Sequence, residues 1–109
     1  MNILVCITHV PDTTSRIAFT ENDTQFDKNG VQFIIGPYDD YALARAVELR
    51  DATAGKLTVL NVGEADTEPT IRKALAIGAD EAVRVNAFPS DSFFVANQIA
   101  AVAKEGNYD

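Results

Sequence analysis

The hydrophobic pattern of this chain alternates between short apolar runs and longer stretches whose apolar residues recur at helical spacing. Residues 2–8 form a continuous run rich in β-branched side chains, which is typical of a parallel strand covered on both faces. Residues 57–62 repeat this pattern, and residues 81–86 form a strand of alternating character. The pattern therefore predicts a first, second and third strand with helices between and after them.

A helix is predicted after each of the last two strands, and an earlier helix is predicted over about residues 38–53. Glycine or a short polar residue at a helix boundary is a stop or cap signal. The residues predicted to cap or stop the helices are Gly55, Asp66 or Thr67, Gly78, Ser90 and Gly106. The apolar positions predicted to face the core are Ala42, Leu43, Ala46, Val47, Leu49, Ile71, Ala74, Leu75, Val95, Ile99 and Val102.

A polar stretch separates the first strand from the first helix. Residues 16–20 and 24–27 are predicted to form short antiparallel pieces, and an Asn-Gly turn at residues 29 and 30 precedes an apolar run at residues 31–35. This stretch is therefore predicted to be a small antiparallel excursion after the first strand.

Repeated strand–helix units predict an α/β fold, namely an open parallel sheet with helices on both faces, of the Rossmann-like type that binds adenine nucleotides. In such sheets ligands bind beyond the carboxyl ends of the strands. We expect the first strand to be central, with the second and third strands on one side of it. Its other edge would then need a further strand. We therefore interpret residues 1–109 as one α/β domain that forms the N-terminal part of a longer nucleotide-binding domain.

The break before the first helix has the sequence Gly36-Pro37-Tyr38-Asp39. The first amides of a helix lack intrahelical partners and the peptide dipole is positive there, so backbone alone can hold a phosphate at such a helix start. Gly-Pro is also a common strand-to-helix turn without any ligand, and local chemistry favours that simpler interpretation.

The charge balance limits the classes of partner. Nine Lys and Arg against sixteen Asp and Glu give a net charge of −7, which repels a polyphosphate backbone and argues against nucleic-acid binding. No apolar stretch approaches the length of a membrane span, so we expect no membrane insertion and a cytoplasmic location. The single cysteine, Cys6, is interpreted as a hidden structural thiol with a raised pKa.

Two polar features have simple explanations. His9 could contact a phosphate or act as a base, but a lone histidine in a loop without a nearby nucleophile is better explained as a solvated residue. Asp39 and Asp40 could bind a metal, but the positive end of the helix dipole accounts for two carboxylates there. We therefore predict no catalytic residue and no metal site.

Segments of the chain resemble the β subunit of electron transfer flavoprotein. They are residues 3–14 (ILVCITHVPDTT), 36–43 (GPYDDYAL) and 70–81 (TIRKALAIGADE). The resemblance spans the whole chain, and the last segment is the most specific, because a helix of that composition followed by Gly-Ala-Asp and a strand is a hallmark of the family. The match implies roughly the N-terminal half of the subunit.

The resemblance implies an electron carrier rather than an enzyme with its own substrate. Family members are heterodimers of an α and a β subunit that hold one redox-active FAD, mainly through the α subunit. They pass electrons from flavin dehydrogenases, such as acyl-CoA dehydrogenases, to an acceptor. The β subunit binds AMP, or a second FAD in electron-bifurcating members. By position, the nucleotide contacts of the family fall on Cys6, Gly36, Pro37, Tyr38, Asp39 and Val62.

The chain departs from the family pattern at two positions near this site. Gly36 stands where Asn is usual, and His9 stands where many members carry Lys or Arg, so the resemblance implies a weaker hold on the nucleotide. The main phosphate-binding loop of the family and its docking loop for dehydrogenases correspond to positions beyond residue 109. We therefore expect residues 1–109 to bind nucleotide weakly or not at all by themselves.

Two other classes share this type of sheet. A stand-alone adenine-nucleotide sensor resembling the universal stress proteins should carry a glycine-rich phosphate motif near its end, which residues 1–109 lack. A nucleotide-dependent ligase should carry a Ser/Gly-rich pyrophosphate loop after the first strand, where this chain has Thr-His-Val-Pro-Asp at residues 8–12. The electron carrier is therefore the preferred hypothesis, and the sensor is the alternative.

Overall fold

Several short strands precede the first helix, and from there strands and helices alternate as the hydrophobic pattern predicts. A computed structural model describes residues 1–12, 19–20, 25–26, 28 and 30–109. The strands are β1 (Asn2–Cys6), β2 (His9–Pro11), β3 (Phe19–Thr20), β4 (Gln25–Phe26), β5 (Phe33–Ile35), β6 (Lys56–Gly63) and β7 (Glu81–Asn86). The helices are α1 (Pro37–Thr53), α2 (Glu68–Ile77) and α3 (Ser92–Glu105), and a 3-10 turn covers Ala65–Thr67.

The main sheet is parallel and has the strand order β1-β6-β7. Its register pairs Asn2 with Lys56 at one end of β1, and Gly63 with Asn86 at the far end of β6. This confirms the predicted parallel α/β sheet and the placement of the second and third strands on one side of the first. Within the described residues, however, β6 rather than β1 is the strand with a neighbour on each side.

The edge of β1 that faces away from β6 meets the C-terminal residues. The Asp109 amide donates to the Asn2 carbonyl at 2.8 Å, and the Asn2 amide donates to the Asp109 carboxylate at 2.7 Å. Because alternate residues of a strand direct their backbone groups to opposite sides, these bonds leave the pairing with β6 intact. The edge of β1 is thus partly occupied at its first residue.

The core lies between the sheet and the helices α1 and α2. Leu57 and Val59 of β6 share one buried cluster with residues of β1 and β5 and of both helices. The other members of this cluster are Val5, Ile7, Ile35, Leu43, Ala46, Ile71 and Ala74. Side chains alternate along a strand, so Leu60 and Val62 face the opposite side of the sheet, where α3 packs against β6. Helices therefore cover both faces, as predicted.

The end of α1 differs from the prediction. The left-handed residue that closes the helix is Ala54, with φ 54° and ψ 37°, and not Gly55. Gly55 has a different role, because a Cβ at this position would overlap the backbone carbonyl of Met1. Glycine is therefore required at position 55 because the backbone of Met1 passes close to it, and not because this residue caps the helix.

The caps of the other helices were partly predicted. Gly78 follows α2 with a positive φ of 150°, and Thr67 precedes α2 as its cap residue without a side-chain capping bond. At α3 the cap is Asp91, whose Oδ1 accepts from the Phe94 amide at 2.7 Å, and not the predicted Ser90. The carboxylate of Asp91 lies one residue closer to the first helical turn, which is where the free amides are.

The antiparallel excursion after β1 is confirmed in part. The described pieces β3 and β4 pair antiparallel with each other, while the remaining residues of the predicted 16–20 and 24–27 pieces lie outside the described residues. The structure adds a pairing that the sequence did not suggest, since β5 lies antiparallel to β2 from His9↔Ile35 to Pro11↔Phe33. Across the described ranges, no helix is long and apolar enough to cross a membrane.

Asp80, in the Gly-Ala-Asp segment, holds the start of β6 in place through hydrogen bonds. The Leu57 amide donates to its Oδ2 at 2.8 Å, and the Asp80 amide donates to the Leu57 carbonyl at 2.8 Å. Arg50 at the end of α1 donates to Asp80 Oδ1 at 3.0 Å and also to the Gly78 carbonyl. The Leu57 amide and the Arg50 guanidinium together hold the pKa of Asp80 below its ordinary value.

Leu43 and Leu75 were both predicted to face the core, but only Leu43 is fully buried, while Leu75 on α2 is 38% exposed. We expect Leu43→Ala to lower the free energy of unfolding by about 2–5 kcal/mol, because it leaves a cavity in the core. The matched change Leu75→Ala should cost about 1 kcal/mol or less. Urea unfolding followed by circular dichroism measures both, and equal losses would contradict this assignment of the core.

Candidate functional site

A cavity of about 360 Å³ lies at the carboxyl ends of β1 and β6. Its volume is in the range of about 300–1,000 Å³ that is usual for small-molecule sites. Residues 60–63 of β6 and residues 6–8 at the end of β1 form its floor, and Val95 and Ile99 of α3 form one side. Its position agrees with the expectation that an open parallel sheet binds ligands beyond its carboxyl edge.

The walls of the cavity are mainly apolar. Leu60 and Val62 of the sheet face Val95 and Ile99 of α3, and Phe88 lies at the exposed rim in the segment after β7. The polar side chains around the cavity include Thr8, His9, Asn61, Lys28 and Asp66. A planar, partly apolar group with a few hydrogen-bonding atoms fits such a surface better than a highly charged one.

The predicted nucleotide contacts fall into two groups. Cys6 and Val62 line the cavity. The Gly36-Pro37-Tyr38-Asp39 segment does not line it but contacts Thr8, which does. Three hydrogen bonds to Thr8 connect the groups. The Gly36 amide donates to the Thr8 carbonyl at 3.2 Å. The Asp39 carboxylate accepts from the Thr8 amide at 2.9 Å and from the Thr8 hydroxyl at 2.5 Å. The structure thus brings the two groups close through one residue that sequence reasoning did not single out.

The start of α1 carries its own negative charge. The Asp39 carboxylate lies in the first turn, where it interacts favourably with the helix dipole and binds Thr8. Pro37 has no amide hydrogen, and the Asp40 amide already donates to the Gly36 carbonyl at 3.1 Å. An anion approaching this helix start would therefore meet few free amides and a fixed carboxylate.

Cys6 is exposed and lines the cavity, so the interpretation of a hidden thiol is wrong. The error arises because β1 ends at Cys6, where the strand reaches the cavity, rather than at Thr8 as predicted. The predicted direction of the thiol pKa is nevertheless correct. Partial burial raises the pKa of Cys6, and the Asp39 carboxylate raises it further.

His9 is a packed residue, which corrects its interpretation as a solvated one. Its ring stacks on Phe33 with a centroid separation of 4.3 Å and an interplanar angle of 6°, and its Nδ1 lies 2.7 Å from the hydroxyl of Thr70. Burial lowers the pKa of His9 and Lys28 lowers it too, although Asp66 opposes this. The ring is therefore neutral at neutral pH and is a poor substitute for a fixed cation.

An ion pair spans the rim of the cavity. Lys28 Nζ lies 3.1 Å from Asp66 Oδ2, which links the segment before β5 to the 3-10 turn before α2. Both residues, together with His9 and Phe33, also line a second cavity of about 420 Å³ on the other side. Because both side chains are about half exposed, this pair contributes little stability, but it separates the two cavities.

Asn61 is a site residue that sequence reasoning missed. It is 4% exposed and lies within β6, and its Nδ2 donates to the Ile7 carbonyl at 3.0 Å. Its Oδ1 is buried and has no hydrogen-bond partner among the described residues. A signal was present in the sequence, because an amide side chain stands within the mainly apolar run of residues 57–62.

These features define an open α/β domain with an apolar binding cavity at the carboxyl edge of its parallel sheet. Residues 23–109 match the family described as the electron transfer flavoprotein domain. The chain therefore belongs to the electron transfer flavoprotein domain family, as the sequence resemblance suggested.

Individual relatives agree with this assignment. The chain is 41% identical over 101 residues to the protein FixA of Azorhizobium caulinodans, covering 93% of this chain and 34% of FixA. It is 37% identical over 112 residues to the electron transfer flavoprotein subunit beta of Thermoanaerobacterium thermosaccharolyticum, covering 100% of this chain and 43% of that protein. The acryloyl-CoA reductase electron transfer subunit gamma of Anaerotignum propionicum is 33% identical over 105 residues, covering 94% and 39%. The chain thus spans well under half the length of these curated relatives.

The environment of Cys6 can be tested by alkylation. We expect Asp39→Asn to speed the reaction of Cys6 with iodoacetamide severalfold near pH 8, because removal of the carboxylate lowers the thiol pKa and raises the thiolate fraction. The matched control is Asp40→Asn, which changes an exposed neighbouring carboxylate. Mass spectrometry of the Cys6 peptide gives the rates, and equal acceleration by both variants would contradict a specific effect of Asp39.

Proposed function

We propose that this chain serves as the β subunit of a heterodimeric electron transfer flavoprotein. In this role it passes electrons from a flavin dehydrogenase, such as an acyl-CoA dehydrogenase, to an acceptor, and it turns over no substrate of its own. The observation that carries the proposal is the family match over residues 23–109. The relative named as the electron transfer subunit of an acryloyl-CoA reductase supports a dehydrogenase partner that acts on a CoA ester.

In this proposal the cavity at the carboxyl edge of the sheet binds an adenine nucleotide, either AMP or a second FAD. The apolar walls formed by Val62, Val95 and Ile99 suit the faces of a base, and the Thr8 hydroxyl oxygen, whose proton goes to Asp39, can accept a hydrogen bond at its edge. Among the described residues that line this cavity, Lys28 is the Lys or Arg present, and it is already paired with Asp66. The base and ribose, rather than the phosphates, therefore belong inside the cavity.

The segment from Gly36 to Asp39 would support this nucleotide indirectly. Asp39 fixes the backbone of Thr8 through two hydrogen bonds, which holds the end of β1 against the cavity. Gly36 has no side chain to offer, so any contact it makes comes from its backbone. Tyr38 is 87% exposed and is available to a neighbouring subunit or to the outer part of a ligand.

The redox-active FAD of the proposed heterodimer would supply the electron-transfer chemistry. This chain's contribution would be structural: it would bind a nucleotide in an apolar cavity, exclude water from it and present the surface on which the α subunit docks. The lowered pKa of His9 suits such a role, because a partly buried ring whose charged form is disfavoured adds packing on Phe33 without a fixed charge.

The role as a flavoprotein subunit can be tested with the full-length natural gene product. We expect it to co-purify with the co-expressed α subunit as a complex with the absorbance spectrum of bound flavin. The same α subunit expressed without this chain is the control, and it should carry less flavin. A full-length product that stays colourless and separate from the α subunit would contradict the proposed function.

The nucleotide site can be tested through Cys6, which lines the cavity. Saturating AMP should slow alkylation of Cys6 in this full-length complex severalfold, because a bound base shields the thiol. Inorganic phosphate at equal ionic strength is the matched control and should give no protection. Unchanged alkylation with AMP, despite binding measured by calorimetry, would place the nucleotide elsewhere.

A further inference from the structure

The second cavity, on the far side of the Lys28–Asp66 pair, has no part in the proposed nucleotide site. Its volume is about 420 Å³, which lies within the range of about 300–1,000 Å³ that is usual for small-molecule sites. It lies between the first turns of α2 and the antiparallel pair of β2 and β5. The ion pair separates it from the cavity at the carboxyl ends of β1 and β6.

Most of the surface of the second cavity is apolar. Val31, Phe33 and Ile34 line it from β5 and the residues before this strand, and Pro69 lines it from the first turn of α2. The ring of Phe33 is held in place, because His9 stacks on it at a centroid separation of 4.3 Å. Such a surface suits a short hydrocarbon chain or a single ring.

The charged groups around the second cavity have a positive balance, although the chain as a whole has a net charge of −7. Lys28, Lys73 and Asp66 line the cavity. Lys28 is paired with Asp66 at 3.1 Å, whereas Lys73 forms no ion pair with any described residue. The cavity therefore offers one positive charge that a single negative charge on a ligand would complement.

The contact between His9 and Thr70 leaves a hydrogen-bond donor unused. His9 Nδ1 lies 2.7 Å from Thr70 Oγ1, and Thr70 is 4% exposed. A neutral imidazole carries one N–H and one acceptor nitrogen. If the Thr70 hydroxyl donates to Nδ1, the Nε2–H of His9 has no acceptor among the described residues, and if Nδ1–H donates, the Thr70 hydroxyl hydrogen has none. In both arrangements one donor is left over on residues that line the cavity.

We propose that the second cavity binds a small monocarboxylate with a hydrocarbon chain or ring. Its carboxylate pairs with Lys73 and accepts a hydrogen bond from the donor that His9 and Thr70 leave over. Its hydrocarbon part packs against Phe33 and Ile34. A carboxylate fits because it only accepts hydrogen bonds and carries one charge, whereas a phosphate dianion would exceed the one unpaired cation. This site does not depend on the nucleotide proposed for the other cavity.

The test separates the charge from the hydrocarbon chain with three probes. The full-length natural gene product, in the oligomeric state in which it purifies, is titrated by calorimetry with hexanoate, with hexan-1-ol and with acetate. The alcohol keeps the chain without the charge, and acetate keeps the charge with almost no chain. We expect hexanoate to bind at least about tenfold more tightly than either. Equal affinities for hexanoate and hexan-1-ol would overturn the proposal, as would the absence of hexanoate binding.

Two lysine variants assign the binding to the second cavity. Lys73→Met keeps much of the side-chain length but removes the charge, so the affinity for hexanoate should fall about tenfold while that for hexan-1-ol stays the same. Lys104→Met makes the same change at an exposed position of α3 and should alter neither affinity. Lys73 is exposed as well, so the fold should be preserved, and circular dichroism checks this. An unchanged hexanoate affinity in folded Lys73→Met would contradict the site.

Competition with AMP distinguishes the two cavities. Saturating AMP should leave the affinity for hexanoate unchanged, because the Lys28–Asp66 pair lies between the cavities. Displacement of hexanoate by AMP would place the probe in the cavity at the carboxyl edge and overturn this inference, while the nucleotide site would stand. If AMP does not bind, the nucleotide role fails by itself, and Lys73→Met still decides whether the second cavity binds the carboxylate.

Discussion

The burial of β6 on both faces, with pairing along both edges, is the constraint on which the rest of the sheet depends. Residues 57–63 are all buried, so their backbone polar groups must be satisfied by neighbouring strands. The parallel partners β1 and β7 meet that requirement, and helices on both faces remove the apolar side chains from water. Asp80 also binds the start of the strand through the Leu57 amide. Its bond to Arg50 connects the end of α1 to the turn between α2 and β7.

The same constraint creates the cavity. Parallel strands end together at one edge, and the chain leaves that edge through loops that spread apart toward the helices. After β1 the chain is held at Thr8 by Asp39 of α1. After β6 it continues from Gly63 into the 3-10 turn that precedes α2. The gap between these paths opens over β6, where Leu60 and Val62 form the apolar part of the cavity floor.

Charge limits which part of the proposed nucleotide could bind at this edge. The chain has a net charge of −7, Asp39 occupies the start of α1, and Lys28 is paired with Asp66. Partial burial lowers the pKa of His9, which disfavours its positively charged form. These residues favour contacts with a base through shape and hydrogen bonds, and a phosphate would need cations or free amides from elsewhere.

The sequence by itself determined the order and type of the main elements, the parallel sheet, the family and the edge at which the cavity lies. Those properties depend on local periodicity and on residue types that recur along the chain. Tertiary structure alone decided that β5 pairs with β2, that His9 stacks on Phe33, that Ala54 rather than Gly55 closes α1, and that Cys6 is exposed. It also decided that Asn61 Oδ1 is buried near Gly63 and Thr67 with no hydrogen-bond partner among the described residues. The reason is that each of these outcomes depends on contacts between residues far apart in the chain, which hydrophobic spacing does not encode.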